Sequence, residues 1–408
     1  MILFPPLSAE IRPLMERILT LVDEVFPLPR RFRAGLPEDV AELSRLFTSG
    51  RGDRSESYMG KPGLLSAYLR YFLPWNCYRL CRLLPALPLT FSSGDALTDL
   101  GSGPITLPLA LWISRPELRN LALEFRCLDR TGGILDAGKQ LWYALAGRSS
   151  PWIIKTIRAP LGAPIHGPKA ALVSAVNLFN ELFWDIPYTD SQSLARGADK
   201  NARLLGSLTA ESGSILVVEP GIPRSGAYIT VLRTALQAEG RPPLLPCPHT
   251  GQCPFPGTAR NGTGGRAKWC HFALQTQDAP QSLHQLSIAA GLPKERGTLS
   301  FLLAGPRVKQ NPAESTAPPG KPVSRDLLPV RIISDPFPIH QEPNQFNPLY
   351  SRYGCSARGL ILVTGEKRAI ETLASGNLLE LTPTVPETRD PKTGGIILLR
   401  PSGADWVI

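Results

Sequence analysis

From residue 95 to residue 304, short apolar runs alternate with segments whose apolar positions recur every three or four residues, and few folds accommodate that alternation. A short apolar run bounded by turn residues reads as a strand buried on both faces, and the periodic segments read as helices that return the chain for parallel pairing. The strands predicted in this way are Ala96 to Leu100, Ala122 to Leu128, Trp152 to Ile157, Ala171 to Val176, Ser214 to Val218 and Leu299 to Ala304. Helices fit at Pro108 to Ile113, Ile134 to Ala146, Phe179 to Phe183, Ser191 to Leu205 and Ala227 to Glu239. The expected fold is α/β, a Rossmann-like doubly wound sheet. Residues 1–90 read as an N-terminal helical region, 91–306 as the main domain and 307–329, rich in Pro, Ser and charge, as an exposed linker. Residues 330–408 read as a small strand-rich unit built from VRIIS, GLILVT, NLLELT and GIILLR.

Apolar residues make up 43% of the 408 and charged residues 19%, which excludes a disordered chain. No uncharged apolar run reaches about 18 residues, the length that suggests a membrane span, so no membrane partner is expected. The N-terminus has no basic stretch ahead of an apolar one and no small-residue cleavage site, so the expectation is a soluble, cytoplasmic protein. Seven cysteines in a reducing compartment do not make a disulfide framework. Cys77 and Cys81, one helical turn apart among apolar neighbours, and Cys127, inside an apolar strand, read as core thiols.

The first strand ends in Asp99-Leu100-Gly101-Ser102-Gly103-Pro104. Glycines let the backbone turn sharply and approach a ligand, and Asp99 can orient the loop or accept from a ligand amine. Asp129 falls at the end of the next strand, where a carboxylate can take both hydroxyls of a ribose. Asp99, Gly101, Ser102, Gly103 and Asp129 together suggest an adenosine-type ligand, with an ordinary strand-to-helix turn as the competing reading. Thr106 stands where a nicotinamide-binding motif needs its third glycine, and the Gly-Lys-Ser/Thr ending of a phosphate loop is missing. After the fourth strand comes Phe179-Asn180-Glu181-Leu182, of which Asn180 and Glu181 either line the cleft or begin an exposed helix.

The remaining cysteines are Cys247, Cys253, Cys270 and Cys355, spaced C-x5-C, x16, C, x84, C. Prolines beside the first two, with Gly251 between them, make an irregular loop that can wrap thiolates around a soft metal. Four thiolates suit either a 4Fe-4S cluster or a zinc ion. Zinc knuckles space their cysteines more tightly than any pair here, which favours the cluster, while His249 and His271 keep a mixed Cys/His zinc site open.

The combination of DLGSGP, LFNEL, ILVVEPGIPRSG, CPHTGQCP, WCHF and RYGCSARGL resembles the methyltransferase-like proteins that assemble the mitochondrial small ribosomal subunit, and their bacterial relatives. The resemblance covers roughly residues 40 to 365, and it also links the D-x-G-x-G turn to class I S-adenosylmethionine-dependent methyltransferases. It implies a 4Fe-4S cluster on Cys247, Cys253, Cys270 and Cys355. It further implies an S-adenosylmethionine pocket at Asp99, Gly101, Gly103 and Asp129, and contact with small-subunit rRNA rather than DNA. The chain departs from active enzymes in three places. Ile105 stands where many have a third glycine, the third strand ends in Lys155-Thr156-Ile157-Arg158 without an acidic residue, and no Asn/Asp-Pro-Pro-aromatic or Pro-Cys signature follows the fourth. Cofactor binding is therefore expected ahead of methyl transfer, and no catalytic residue is identified.

The chain carries a formal charge of +10. Between residues 241 and 310, Arg241, Arg260, Arg266, Lys268, Lys294, Arg296, Arg307 and Lys309 face only Asp278 and Glu295, a local +6 around three of the four cysteines. The Gly-rich segment GTARNGTGGRAKW suits an irregular RNA backbone, and Arg260, Arg266, Lys268 and Arg296 are the expected RNA contacts. A solvated basic loop is the alternative.

Overall fold

The computed structural model describes residues 2–53, 61–187, 190–255, 268–308, 327–339, 349–382, 387–390 and 393–399. The chain divides into two units, one formed by Phe4–Trp184 with Gln275–Gly297, the other by Met1–Leu3, Asp185–Leu274 and Thr298–Ile408.

The first unit opens with the helices α1 (Ile11–Val25), α2 (Leu36–Phe47) and α3 (Leu73–Leu83), the last preceded by a π-helical turn at Tyr68–Phe72. Cys77 and Cys81 are buried in α3, as their apolar neighbours predict. Four parallel strands follow, β1 (Ala96–Leu100), β2 (Glu124–Asp129), β3 (Ile153–Arg158) and β4 (Ala170–Val176), in the spatial order β3-β2-β1-β4. The helices α4 (Thr106–Ser114) and α5 (Gly132–Ala146) are the crossovers after β1 and β2. This is the Rossmann-like α/β order, with β1 flanked on both sides and the ligand crevice of such sheets at the C-terminal ends of β1 and β4. Trp112, Trp142 and Trp152 pack ring against ring over this sheet, with Phe125 on Trp152. The later segment Gln275–Gly297 is tied in by the buried Arg82, which donates to Asp278 at 2.7 Å and to the carbonyls of Phe4, Pro5 and Gln275.

In the second unit α6 (Ser191–Leu208) starts at Asp190, whose side chain accepts from the Ser193 N–H and so satisfies a free helix-end donor. The strand β5 (Thr209–Pro220) and α7 (Pro223–Ala238) follow, and β5 pairs antiparallel with β8 (Arg296–Ala304), which also carries β6 (Pro243–Leu245) and β7 (Phe272–Gln275). A separate sheet comprises β9 (Leu328–Ile332), β10 (Phe337–Ile339), β11 (Leu349–Ser356), β12 (Gly359–Gly365), β13 (Leu378–Leu381), β14 (Thr388–Arg389) and β15 (Ile396–Leu399). Its path is β13-β9-β11-β12-β15-β14, with β10 beside β11. Its core residues Leu328, Val330, Ile332, Ile361, Val363, Ile396 and Leu398 alternate along their strands, the period that buries one face of a sheet. Most of the proposed linker, residues 309–326, lies outside the described residues. Among the described residues no helix is long and apolar enough to cross a membrane.

Candidate cofactor turn and metal centre

The turn after β1 lies in the first unit. Gly101 and Gly103 both adopt the left-handed backbone, at φ +65° and +53°, which glycine takes without steric cost. Ile105 is left-handed as well (φ 51°, ψ 45°) and fully buried, an outlier for a β-branched residue. The position therefore carries the backbone conformation of a glycine with the side chain of an isoleucine, at a strain of about 1–2 kcal/mol. Space over Gly101 is closed: a Cβ there would lie 2.6 Å from the Leu178 side chain, which descends from the segment after β4. Over Gly103 the nearest group is the Tyr68 hydroxyl, 3.7 Å from where a Cβ would be, so the π-helical turn brings an aromatic side chain to the loop.

Both predicted carboxylates reach this turn. Asp99 is buried, accepts from the Ser102 hydroxyl at 2.5 Å and from the Ser174 hydroxyl at 2.6 Å, and its pKa is pushed up to about 6. Burial causes that rise, the two serines oppose it and the nearby Asp129 charge adds to it. Asp129 accepts from the Gly103 N–H at 3.0 Å and from the Thr131 N–H at 2.9 Å, and burial raises its pKa too. Asn180 is buried, and its side-chain oxygen accepts from Arg51 at 2.9 Å while its carbonyl accepts from the same guanidinium. That oxygen therefore holds the end of the N-terminal helical segment. Arg51, Tyr68 and Leu178 were not indicated by sequence, because their roles come from contacts between distant parts of the chain.

The four cysteines named for a metal all lie in the second unit. Cys247 and Cys253 sit on the loop after β6, Cys270 just before β7 and Cys355 on β11. Burial raises the pKa of the Cys270 thiol most, followed by the charges of Cys253, Cys247 and Cys355. Cys355 is raised by burial and then by Cys253 and Cys247, and Cys247 by burial, with Arg233 opposing it and Cys253 adding to it. The four sulfurs thus share one electrostatic neighbourhood. Three successive positions on one face of α7 line it: Thr230 Oγ1 lies 4.0 Å from Cys253 Sγ, Arg233 Nε donates to Cys247 Sγ at 3.2 Å, and Gln237 donates to the Thr250 carbonyl at 2.8 Å. Arg233 also donates to the carbonyls of His249 (3.0 Å) and Gly251 (2.8 Å), which fixes the loop. Ser300 donates to the Cys270 carbonyl at 2.8 Å, and Arg331 to the Pro246 carbonyl at 2.9 Å.

His249 Nε2 lies 3.3 Å from Cys355 Sγ, while its Nδ1 is buried without a hydrogen-bond partner among the described residues. Burial and the Arg233 charge lower its pKa, favouring neutral imidazole. His271 instead stacks on Trp269, 4.8 Å between ring centres. Among the described residues no three His, Cys, Asp or Glu side chains are set to take a single metal ion. A zinc ion needs four sulfurs crowded at about 2.3 Å from one point, whereas a four-iron cluster is larger and asks for a wider ring. Four soft donors, two buried guanidiniums and an orphaned imidazole nitrogen are the chemistry that a thiolate-bound centre uses.

Of the expected RNA contacts, Arg260 and Arg266 lie outside the described residues. Lys268 is exposed, with its ammonium 4.7 Å above the Tyr353 ring, and Arg296 is exposed at the start of β8. Arg241 does not belong to a basic surface: it is buried and donates to the carbonyls of Thr209, Ala210, Gly213 and Gly305.

No curated protein matches the chain. Among solved structures it is similar to an S-adenosylmethionine-dependent methyltransferase from Geobacter sulfurreducens bound to S-adenosyl-L-homocysteine, at 11% identity over 57% of this chain and 91% of that one, with a TM-score of 0.32. A methyltransferase from Thiobacillus denitrificans with the same ligand matches at 11% identity over 57% and 92%, with a TM-score of 0.31. The family described as mitochondrial small ribosomal subunit Rsm22 matches residues 187–337, the stretch that contains Cys247, Cys253 and Cys270, and the chain is similar to that family over this stretch.

Proposed function

We propose that this chain is a methyltransferase-like assembly or translation factor of the small ribosomal subunit that binds rRNA, holds S-adenosylmethionine at the glycine turn and carries a structural 4Fe-4S cluster. Cys247, Cys253, Cys270 and Cys355 are the ligands, and Asp99, Gly101, Ser102, Gly103 and Asp129 frame the cofactor turn. The observation that carries the reading is the convergence of four thiols from three separate stretches of chain, three of them inside a family match named for the small ribosomal subunit. When bound, the cluster cross-links those stretches. This chain's own residues do the rest: α7 grips the cysteine loop through Arg233 and Gln237, and Lys268, Arg260, Arg266 and Arg296 supply positive charge for phosphates. Ile105, a branched side chain on a glycine-type backbone where many active enzymes have a third glycine, supports cofactor holding over turnover.

The test is oxygen-free purification followed by a visible-range spectrum and iron, sulfide and zinc analysis, together with co-sedimentation on small ribosomal subunits. Four irons and four sulfides per chain, with co-sedimentation, are expected. Zinc without iron overturns the cluster. Labelled methyl groups on small-subunit RNA would identify an active methyltransferase instead.

A further inference from the structure

Two guanidiniums beside the four thiols have no acidic partner among the described residues. Arg233 and Arg331 are 4% and 2% exposed, and neither makes an ion pair with a carboxylate among the described residues. Burying a charge is costly unless it is paired or fully hydrogen-bonded, and the candidate anions beside these two are sulfurs. For Arg233 that anion is Cys247 Sγ, 3.2 Å from its Nε. Arg331 stands directly opposite Cys355 across the antiparallel β9–β11 pair, where facing residues project from the same side of the sheet. Its hydrogen bonds go to the carbonyls of Pro246, next to Cys247, and of Gly376. The charges that act on Arg331 most after burial are those of Cys247, Cys355 and Cys270.

We infer that Arg233 and Arg331 are the counter-ions of a dianionic four-thiolate centre and, as positioning residues, set its charge state. This rests on the ligand set proposed above, but not on which metal fills it. Four thiolates around a divalent zinc ion, or around a cluster core of charge 2+, sum to −2, which the two guanidiniums neutralise. Adding one electron to the cluster takes the core from 2+ to 1+ and the centre to −3. The two cations stabilise that added charge, so removing either makes reduction harder. Sequence reasoning could have found Arg233, three residues from Thr230 on a helix leading to the cysteine loop, but nothing local marks Arg331.

The test compares wild type with Arg233→Met, Arg331→Met, Arg233→Lys and Arg331→Lys, each purified without oxygen as the full chain, with Arg241→Met as a control for losing a buried guanidinium elsewhere. Iron and sulfide are quantified, and the midpoint potential is measured by titration with dithionite, which supplies the electron, read by electron paramagnetic resonance. The Met variants should show a midpoint more negative than wild type, and the Lys variants one close to wild type, with Arg241→Met unchanged. Cluster-replete Met variants with a wild-type midpoint overturn the inference. Where a Met variant fails to fold, the matching Lys variant decides: a wild-type midpoint supports the inference and a shifted one overturns it. Zinc in place of iron in the wild type overturns the cluster reading alone. The charge assignment is then read from zinc release to a chelator, faster in the Met than in the Lys variants if it holds and equal if it does not.

Discussion

The carboxylate of Asp129, at the end of β2, accepts a hydrogen bond from the backbone N–H of Gly103 at 3.0 Å, and so fastens the turn that follows β1. With its other oxygen on the Thr131 N–H, one side chain ties down two loops. Asp129→Ala leaves both donors without this partner, and the expected cost is about 1–3 kcal/mol of stability. Thermal unfolding should show a lowered midpoint, and calorimetry weakened binding of S-adenosylmethionine. An unchanged melting curve would mean that water replaces the carboxylate at no cost.

Asp99 gives the fold a pH dependence of definite sign. Its pKa rises from an ordinary 3.8 to about 6, so the folded chain holds this proton more tightly than the unfolded one. The contribution is fully present below pH 3.8 and is lost as pH rises through 6, amounting to about 3 kcal/mol. Asp99→Asn should flatten that limb. Urea unfolding at pH 4, 5, 6 and 7 measures it, and parallel profiles for the two proteins would contradict the assignment.

Ile105 should invert a familiar order. In most settings glycine is less stable than alanine by about 0.5–1 kcal/mol, because it loses more backbone freedom on folding. Here both substitutions lose the buried side chain, a term of about 2–5 kcal/mol, but only glycine relieves the left-handed strain. Ile105→Gly should therefore be destabilised less than Ile105→Ala, and also bind S-adenosylmethionine more tightly than wild type. Denaturant midpoints and calorimetry check the two halves separately.

Cys270→Ser removes one of the four proposed ligands, whose backbone is held by Ser300. Loss of colour and iron together with small-subunit co-sedimentation is expected, with far-ultraviolet circular dichroism as the control for folding. A colourless, folded variant that still co-sediments would separate the metal centre from ribosome binding.

Periodicity marked β1 to β4 to within about two residues, because strands buried on both faces give unbroken apolar runs. It missed β6 and β7: Pro243 disguises the one, and the other is four residues long beside the cysteine segment. The left-handed backbone at Ile105 and the π-helical turn at Tyr68–Phe72 were also out of reach, since packing imposes both against local preference. The cysteines were legible as a set because thiols beside prolines and histidines make poor core material. The buried arginines were not. An Arg reads as surface charge until the carbonyls or sulfurs around it are known, and for that reason Arg241 was counted in the basic stretch and Arg331 was not singled out.

The pairing of Cys355 with Arg331 has a temporal meaning. β11 is held by β9 on one side and β12 on the other, so its thiol takes its place only after the chain has been synthesised through Gly365. Cys247, Cys253 and Cys270 precede it in the chain, so on the proposed ligand set the fourth donor is the last to be made, and a chain cut before β12 keeps three of the four thiols without the strand pairing that positions the fourth.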